Sequence, residues 1–254
     1  MKKRKAGIGI FVIVLIITAV RVKSMDSHRI SGRILAENIA GPGMMRLVEQ
    51  SMQAQAQKTS VTEIAVKEWK HPQAALTFDD GPDIRYTPLL LDGLKERNVR
   101  ASFFLLGEKV EQYPELVERM QKEGHLVGNH TYHHVQLNKL NETKAREEIL
   151  KTNNLIYETT GVYPLYLRPP FGAWKKNLEL CVEMLPVFWT IDTLDWKVQN
   201  TEKIVRTVQE QIEDGAIILM HDEYDTSVEA ALQVVDELKN QGYELVTVDQ
   251  LILP

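Results

Sequence analysis

From His71 onward the chain alternates short, β-rich apolar runs with segments of helical period, and this alternation restricts the fold more than any other feature of its 254 residues. The candidate strands are residues 74–78, 101–105, 125–128, 165–168, 187–191, 216–220 and 244–248. Helix candidates fall between them at 88–98, 114–123, 143–160, 178–184, 202–214 and 227–241. Gly124, Gly161, Gly215 and Gly242 each follow a helical stretch, where a left-handed cap favours glycine. Strands that are apolar on both faces and separated by helices imply a parallel sheet. Seven such units predict an α/β fold of the distorted (β/α) barrel type. An open doubly wound sheet is the alternative, but no GxGxxG follows the first strand and no P-loop is present, which weakens its nucleotide-binding versions.

The first 70 residues read differently. Basic residues at positions 2–5 precede an uninterrupted, weakly polar run from Ala6 to Val20. That length lies between a signal-peptide core and a spanning helix. Arg21 and Lys23 follow the run, and Ile17-Thr18-Ala19 is only a passable cleavage site, so residues 1–23 are read as a signal-anchor in preference to a cleaved signal peptide. The basic residues before the run keep that end inside, which puts the bulk of the chain outside the membrane, either anchored by a single pass or secreted after cleavage. Residues 24–70 lack a sustained apolar period and read as a stalk, with a possible helix over 44–57. The unit that carries the chemistry is therefore 71–254. A formal charge of −5 with interspersed lysines and glutamates offers no basic face for nucleic acid, and nothing indicates a protein partner. One cysteine, Cys181, excludes an intrachain disulfide.

Each chemically notable cluster sits at the C-terminal end of a strand run, the end at which (β/α) barrels place their working groups. Asp79 and Asp80 follow the first run and precede a Gly81-Pro82 turn. Adjacent residues leaving a strand point different ways, so one carboxylate can hold a metal while the other serves as a base. His130 and His134 follow the third run, and a spacing of four puts two imidazoles on one face of a helical turn, able to grip one cation. A carboxylate oxygen from Asp80 completes a set of three that suits zinc and tolerates other divalent ions. His133 competes as a ligand. Arg168 precedes Pro169-Pro170-Phe171-Gly172, where two prolines end the ladder. It is expected to brace Asp79 and lower its pKa, while the Phe171 amide faces a developing oxyanion. Asp195 and His221 end the next two runs and form a natural pair, because a carboxylate fixes the imidazole tautomer and favours its protonation, as a general acid requires. Trp196 and Leu219 can wall a small apolar pocket.

Taken in order, TFDDGP at 77–82, HTYHH at 130–134, RPPFG at 168–172, DTLDW at 192–196 and LMH at 219–221 resemble the polysaccharide deacetylase family, the chitooligosaccharide deacetylase homology domain of carbohydrate esterase family four. The resemblance covers about residues 70–252. It implies a distorted seven-unit (β/α) barrel that hydrolyses acetyl groups on surface glycans. It also implies Asp79 as base, Asp80, His130 and His134 as ligands of one divalent ion (zinc first, cobalt or manganese otherwise), and His221 as acid. Arg168 would brace Asp79, Asp195 would orient His221, and Trp196 with Leu219 would hold the acetyl methyl. The sequence departs from the common pattern at Phe171, where tyrosine is frequent, at His133, where a small residue is usual, and at Val135, where proline is usual. Retention of both aspartates of DDGP is similar to glucosamine-type deacetylases. With an outward-facing domain, the expected substrate is N-acetylglucosamine of peptidoglycan, and chitin-like oligomers come second. A non-catalytic glycan-binding envelope protein and a deformylase of lipid-linked sugars are the competing readings.

Overall fold

The computed structural model describes residues 71–174 and 184–252. The expected segments 1–23 and 24–70, Cys181 and nearly all of the expected helix 178–184 lie outside them. Among the described residues no helix is long and apolar enough to cross a membrane.

The sheet is built on β1 (Gln73–Asp79), every residue of which is buried. Its alternate side chains enter two environments, as a strand's period of two dictates. Ala74, Leu76 and Phe78 point outward and join a large core with Leu90, Leu94, Val234 and Val235. Ala75 points the other way, against Phe104, Tyr166, Val187 and Val248. Thr77 and Asp79 share that inner face, since one guanidinium bonds both.

The remaining strands are β2 (Ser102–Leu105), β3 (Leu126–Asn129), β4 (Tyr166–Leu167), β5 (Leu185–Pro186), β6 (Ile191–Asp192), β7 (Ala216–His221) and β8 (Glu244–Leu245). All pairings are parallel, and the curled sheet runs β5-β4-β3-β2-β1-β7-β6, with β8 added beside the start of β1. The helices are α1 (Tyr86–Glu96), α2 (Gly107–Gln112), α3 (Pro114–Lys122), α4 (Glu142–Thr160), α5 (Asp195–Val198), α6 (Thr201–Gln211), α7 (Asp225–Asn240) and α8 (Val248–Ile252), of which α1–α4, α6 and α7 pack side chains into the outer core. Two of them start on side-chain caps: Asn141 accepts from the Lys144 amide at 2.9 Å and Asn200 from the Lys203 amide at 3.0 Å. An α/β fold with a parallel, barrel-like sheet is thus borne out.

Three expected elements differ. The run 187–191 is not one strand. Val187 N–H donates to Leu167 O on the β4 side, whereas Thr190 N–H donates to Ile217 O on the β7 side. The chain itself crosses from one sheet edge to the other over four residues, and among the described residues no β5–β6 ladder closes the barrel. Expected strand 165–168 keeps only two paired residues, because Pro169 and Pro170 cannot continue a ladder. Expected strand 244–248 also shortens: Val248 begins α8, whose Val248 and Leu251 pack on the inner face against Ala75 and Phe104 instead of extending the sheet.

Candidate active site

Strand register brings the chemistry to one rim. Asp79 lies opposite His221 across β1 and β7, and Asn129 opposite Leu167 across β3 and β4. The next residues outward on β3 and β4 are therefore His130 and Arg168. Asp192 pairs with Leu219 across β6 and β7, and its Oδ1 accepts from the Leu194 amide at 3.0 Å. This Asx turn, with Leu194 at φ 51°, swings Asp195 beneath His221.

Asp80 leaves β1 with φ 70°, a left-handed residue that turns its carboxylate toward two imidazoles. Asp80 Oδ1 lies 3.4 Å from Nε2 of His130 and 3.4 Å from Nε2 of His134. One ligand atom from each of the three residues falls within 4.8 Å of the others. His130 Nδ1 donates to the Arg168 carbonyl at 2.7 Å, which fixes the tautomer that leaves the Nε2 lone pair facing Asp80. Asp80 Oδ1 is buried and has no hydrogen-bond partner among the described residues. A buried carboxylate oxygen without a donor, facing two imidazole nitrogens, fits a divalent cation. Burial alone would push the Asp80 carboxyl up, but His130, His134 and His221 together hold it well below the usual carboxylate range. Burial pushes His134 down, toward the neutral form a ligand needs.

The two histidines do not share a helical turn. Residues 130–136 form a loop in which Thr131 (φ 67°) and His134 (φ 54°) are left-handed, and the rings of His130 and His134 meet at 5.0 Å. Local side-chain bonds replace helical ones: Thr131 N–H donates to Asn129 Oδ1 at 2.7 Å and Val135 N–H to Thr131 Oγ1 at 3.2 Å. A proline at 135 would lack that donor. His133 turns outward to Glu148, with Nδ1 2.8 Å from Oε1, and takes no place in the triad.

Arg168 is fully buried on the inner face. Its Nη1 donates to Asp79 Oδ1 at 2.8 Å and to Thr77 Oγ1 at 2.7 Å, and its Cζ lies 4.2 Å over the Phe104 ring. Asp79 is thereby held with Oδ2 3.7 Å from His130 Nε2. Asp195, also fully buried, accepts from His221 Nδ1, the His221 amide and Ser227 Oγ, each at 2.7 Å. Burial would lower the His221 pKa, yet the Asp195 hydrogen bond and the surrounding carboxylates push it up to about 9. Its Nε2 is 3.9 Å from Asp80 Oδ2.

Asp79, Asp80, His130, His134 and His221 line a cavity of about 490 Å³ together with Phe171, Trp196 and Leu219. Phe171 has φ 59°, and the bonds closing its turn run from Gly172 and Ala173 to Pro169 and Pro170, so its own N–H takes no part in them. Its ring lies 4.5 Å from that of His134, tilted by 52°. Sequence reasoning missed Trp189, Glu223 and Tyr224, which also line the cavity, Ser227 and Thr77 beneath it, and Asp222 packed against the Gly81 turn. The residues that hold the site from below lie many tens of positions from their partners, and no local pattern marks them.

A curled parallel sheet carrying a carboxylate and imidazole triad, a second carboxylate and a histidine-aspartate pair at its C-terminal rim defines the class of metal-binding (β/α)-barrel hydrolases. Residues 67–188 match the family described as Polysaccharide deacetylase. The peptidoglycan-N-acetylglucosamine deacetylase PgdA of Listeria monocytogenes serotype 1/2a is 44% identical over 177 residues, which are 70% of this chain and 38% of that protein. A peptidoglycan-N-acetylglucosamine deacetylase of Bacillus cereus is 40% identical over 186 residues, covering 70% of this chain and 68% of its own length. The solved structure of the peptidoglycan deacetylase PdaC from Bacillus subtilis superposes with a TM-score of 0.70 at 42% identity, covering 72% of this chain and 91% of that one. The chain belongs to the polysaccharide deacetylase family, although it spans well under half the length of the Listeria relative.

Proposed function

We propose that the protein hydrolyses N-acetyl groups of a cell-envelope polysaccharide, N-acetylglucosamine of peptidoglycan in first place, with one divalent ion held by Asp80, His130 and His134. The observation that carries this reading is convergence on one cavity: Asp79 and His221, paired in register at the ends of β1 and β7, each come within 4 Å of an atom of the triad. Relatives named as peptidoglycan deacetylases at 40% and 44% identity support the substrate class.

When bound, a zinc ion at this N,N,O set would polarise the acetamide carbonyl and acidify water, as cobalt or manganese would. The remaining steps belong to the chain. Asp79, aimed by Arg168, takes a proton from the attacking water. The oxyanion of the tetrahedral intermediate meets the Phe171 N–H. Trp196 and Leu219 receive the acetyl methyl. His221, held in one tautomer by Asp195, gives its proton to the departing sugar nitrogen, and acetate and a free amine result.

Acetate release from N-acetylglucosamine oligomers and from peptidoglycan, measured with added zinc, cobalt or manganese, tests the reading. Bound polymer with no acetate under any of these ions would instead identify a non-catalytic glycan-binding protein, and formate a deformylase. Asp79→Asn should lower kcat by at least about 100-fold while retaining the ion. It also leaves the Arg168 charge uncompensated in the interior, a destabilisation of about 3–5 kcal/mol, so its fold is to be verified first by circular dichroism. His134→Ala should lose the ion. An Asp79→Asn variant that folds without metal would overturn the division of roles. Residues 1–23 support placement outside the membrane: a full-length chain in the membrane fraction marks an anchor, a shortened chain in the medium a cleaved signal, and a cytosolic chain refutes both.

A further inference from the structure

The loop that presents His130 and His134 is a conformation its own sequence disfavours. Two of its non-glycine residues, Thr131 and His134, are left-handed, which costs on the order of 1 kcal/mol each and persists only where the surroundings over-determine it. His134 is itself one of the three triad residues.

Two helices, α2 and α4, hold this loop by hydrogen bonds. The carbonyls of Thr131 and Tyr132 accept from the Gly107 and Glu108 amides at the start of α2, at 3.0 and 3.3 Å. The Tyr132 and His133 amides donate to one carboxylate oxygen, Glu148 Oε2, at 3.0 and 2.9 Å. Its other oxygen, Oε1, accepts from the His133 ring at 2.8 Å. Glu148 stands on α4, 15 positions from His133 and fixed to the sheet by a second anchor: Asn129 Nδ2 donates to Ile149 O at 2.9 Å and to Asn153 Oδ1 at 2.6 Å. Of the side chains outside the loop that bond its backbone, Asn129 acts at the loop's base. Among the described residues, Glu148 is the side chain that grips Tyr132 and His133, two of the three residues between the histidines.

We infer that Glu148 is a positioning residue for the metal site, a carboxylate that fastens the backbone at Tyr132–His133 so that both imidazoles arrive at Asp80 already oriented. It touches neither ion nor substrate. The inference rests on the reading of Asp80, His130 and His134 as ligands. Supports one step removed from a metal commonly change its affinity by about 10–100-fold when lost.

The experiment is zinc affinity by competition with a chromophoric chelator, on the intact chain and on variants whose helicity matches it. Glu148→Ala should weaken zinc binding at least about 10-fold. Glu148→Asp, which keeps the charge but shortens the reach, should weaken it comparably. Glu148→Gln should restore affinity to within about threefold, because its carbonyl can accept from both amides while its amide meets His133 in the other ring tautomer. His133→Ala, which spares the backbone bonds, should also stay within about threefold. Should Glu148→Asp or a folded Glu148→Ala bind zinc as the intact chain does, the inference fails. It fails equally if His133→Ala weakens zinc as much as Glu148→Ala, since the ring and not the backbone would then be what matters. An intact chain that binds no zinc overturns the ligand assignment instead, so the two failures are distinguishable.

Discussion

Asp222 stands next to His221 but faces the opposite way, fully buried against the turn that carries Asp79 and Asp80. A Cβ on Gly81 would lie 2.5 Å from Asp222 Oδ1, so the carboxyl occupies the space that a side chain at 81 would need. Thr87 Oγ1 donates to its other oxygen and accepts from the Asp83 amide, which ties the turn to α1. Burial pushes the Asp222 pKa up to about 7, against the downward pull of the Thr87 hydroxyl and the Lys109 charge. The sign follows from proton counting: the unfolded chain releases this proton near pH 4 and the folded chain near 7, so between those values the folded state binds more protons and stability falls as pH rises. His221 acts in a separate window. In metal-free protein its raised pKa contributes stability that is complete below about 6.5 and is lost as pH rises through about 9. Asp222→Asn, which mimics the protonated carboxyl, should remove a few kcal/mol of the decline between pH 4 and 7. Thermal unfolding across that range decides it: parallel curves for variant and parent would mean that Asp222 does not titrate there.

Among the elements, glycines separate two kinds of constraint. Gly161 ends α4 at φ 73°, and an added Cβ would meet nothing within 4 Å, so only backbone strain opposes a side chain there. Gly128 sits in β3 opposite Phe104, where a Cβ would fall 2.6 Å from the ring and 3.1 Å from the Tyr166 carbonyl. Gly161→Ala should cost about 1 kcal/mol, whereas Gly128→Ala must displace the ring that supports Arg168 and should cost about 1–3 kcal/mol together with a fall in kcat. Urea unfolding of both variants tests the ranking, and a harmless Gly128→Ala would show that the inner face can yield. The same contrast explains what could be read in advance. Gly161 was legible because a cap is a local event at the end of a periodic stretch, and so were β1 and β7, whose apolar runs are long. Gly128 was not, because its neighbour Phe104 belongs to another strand. The handover at Val187–Thr190 looked like an ordinary strand, since a β-rich run does not reveal which edge each residue pairs with. The spacing of His130 and His134 suggested a helix, because nothing local announces that Glu148 and Asn129 will hold the loop otherwise.

On the scale of the whole domain, the triad joins parts of the sheet that are not neighbours. Asp80 leaves β1, and His130 and His134 leave β3, with β2 between them. Phe104 of β2 faces inward beneath Arg168, so that strand contributes packing to the site and no ligand. An ion at Asp80 Oδ1 would therefore cross-link two loops over an intervening strand and satisfy a buried carboxylate oxygen that has no hydrogen-bond partner among the described residues. Because the unfolded chain does not assemble this geometry, binding adds to stability as the logarithm of free ion over Kd, about 4 kcal/mol at 1,000-fold excess. For a domain of this size each kcal/mol moves Tm by roughly 2–4 °C. Zinc added to chelator-stripped protein should thus raise Tm by about 8–16 °C, in steps proportional to log concentration. In His134→Ala most of that increment should disappear, while the metal-free Tm stays close to the parent's because His134 is partly exposed and packs mainly on Phe171 and His130. A Tm that ignores zinc in the parent protein would mean either that no ion joins β1 to β3 or that the unfolded histidines bind it equally well. Titration of the denatured chain separates these two cases, and only the first removes the metal site.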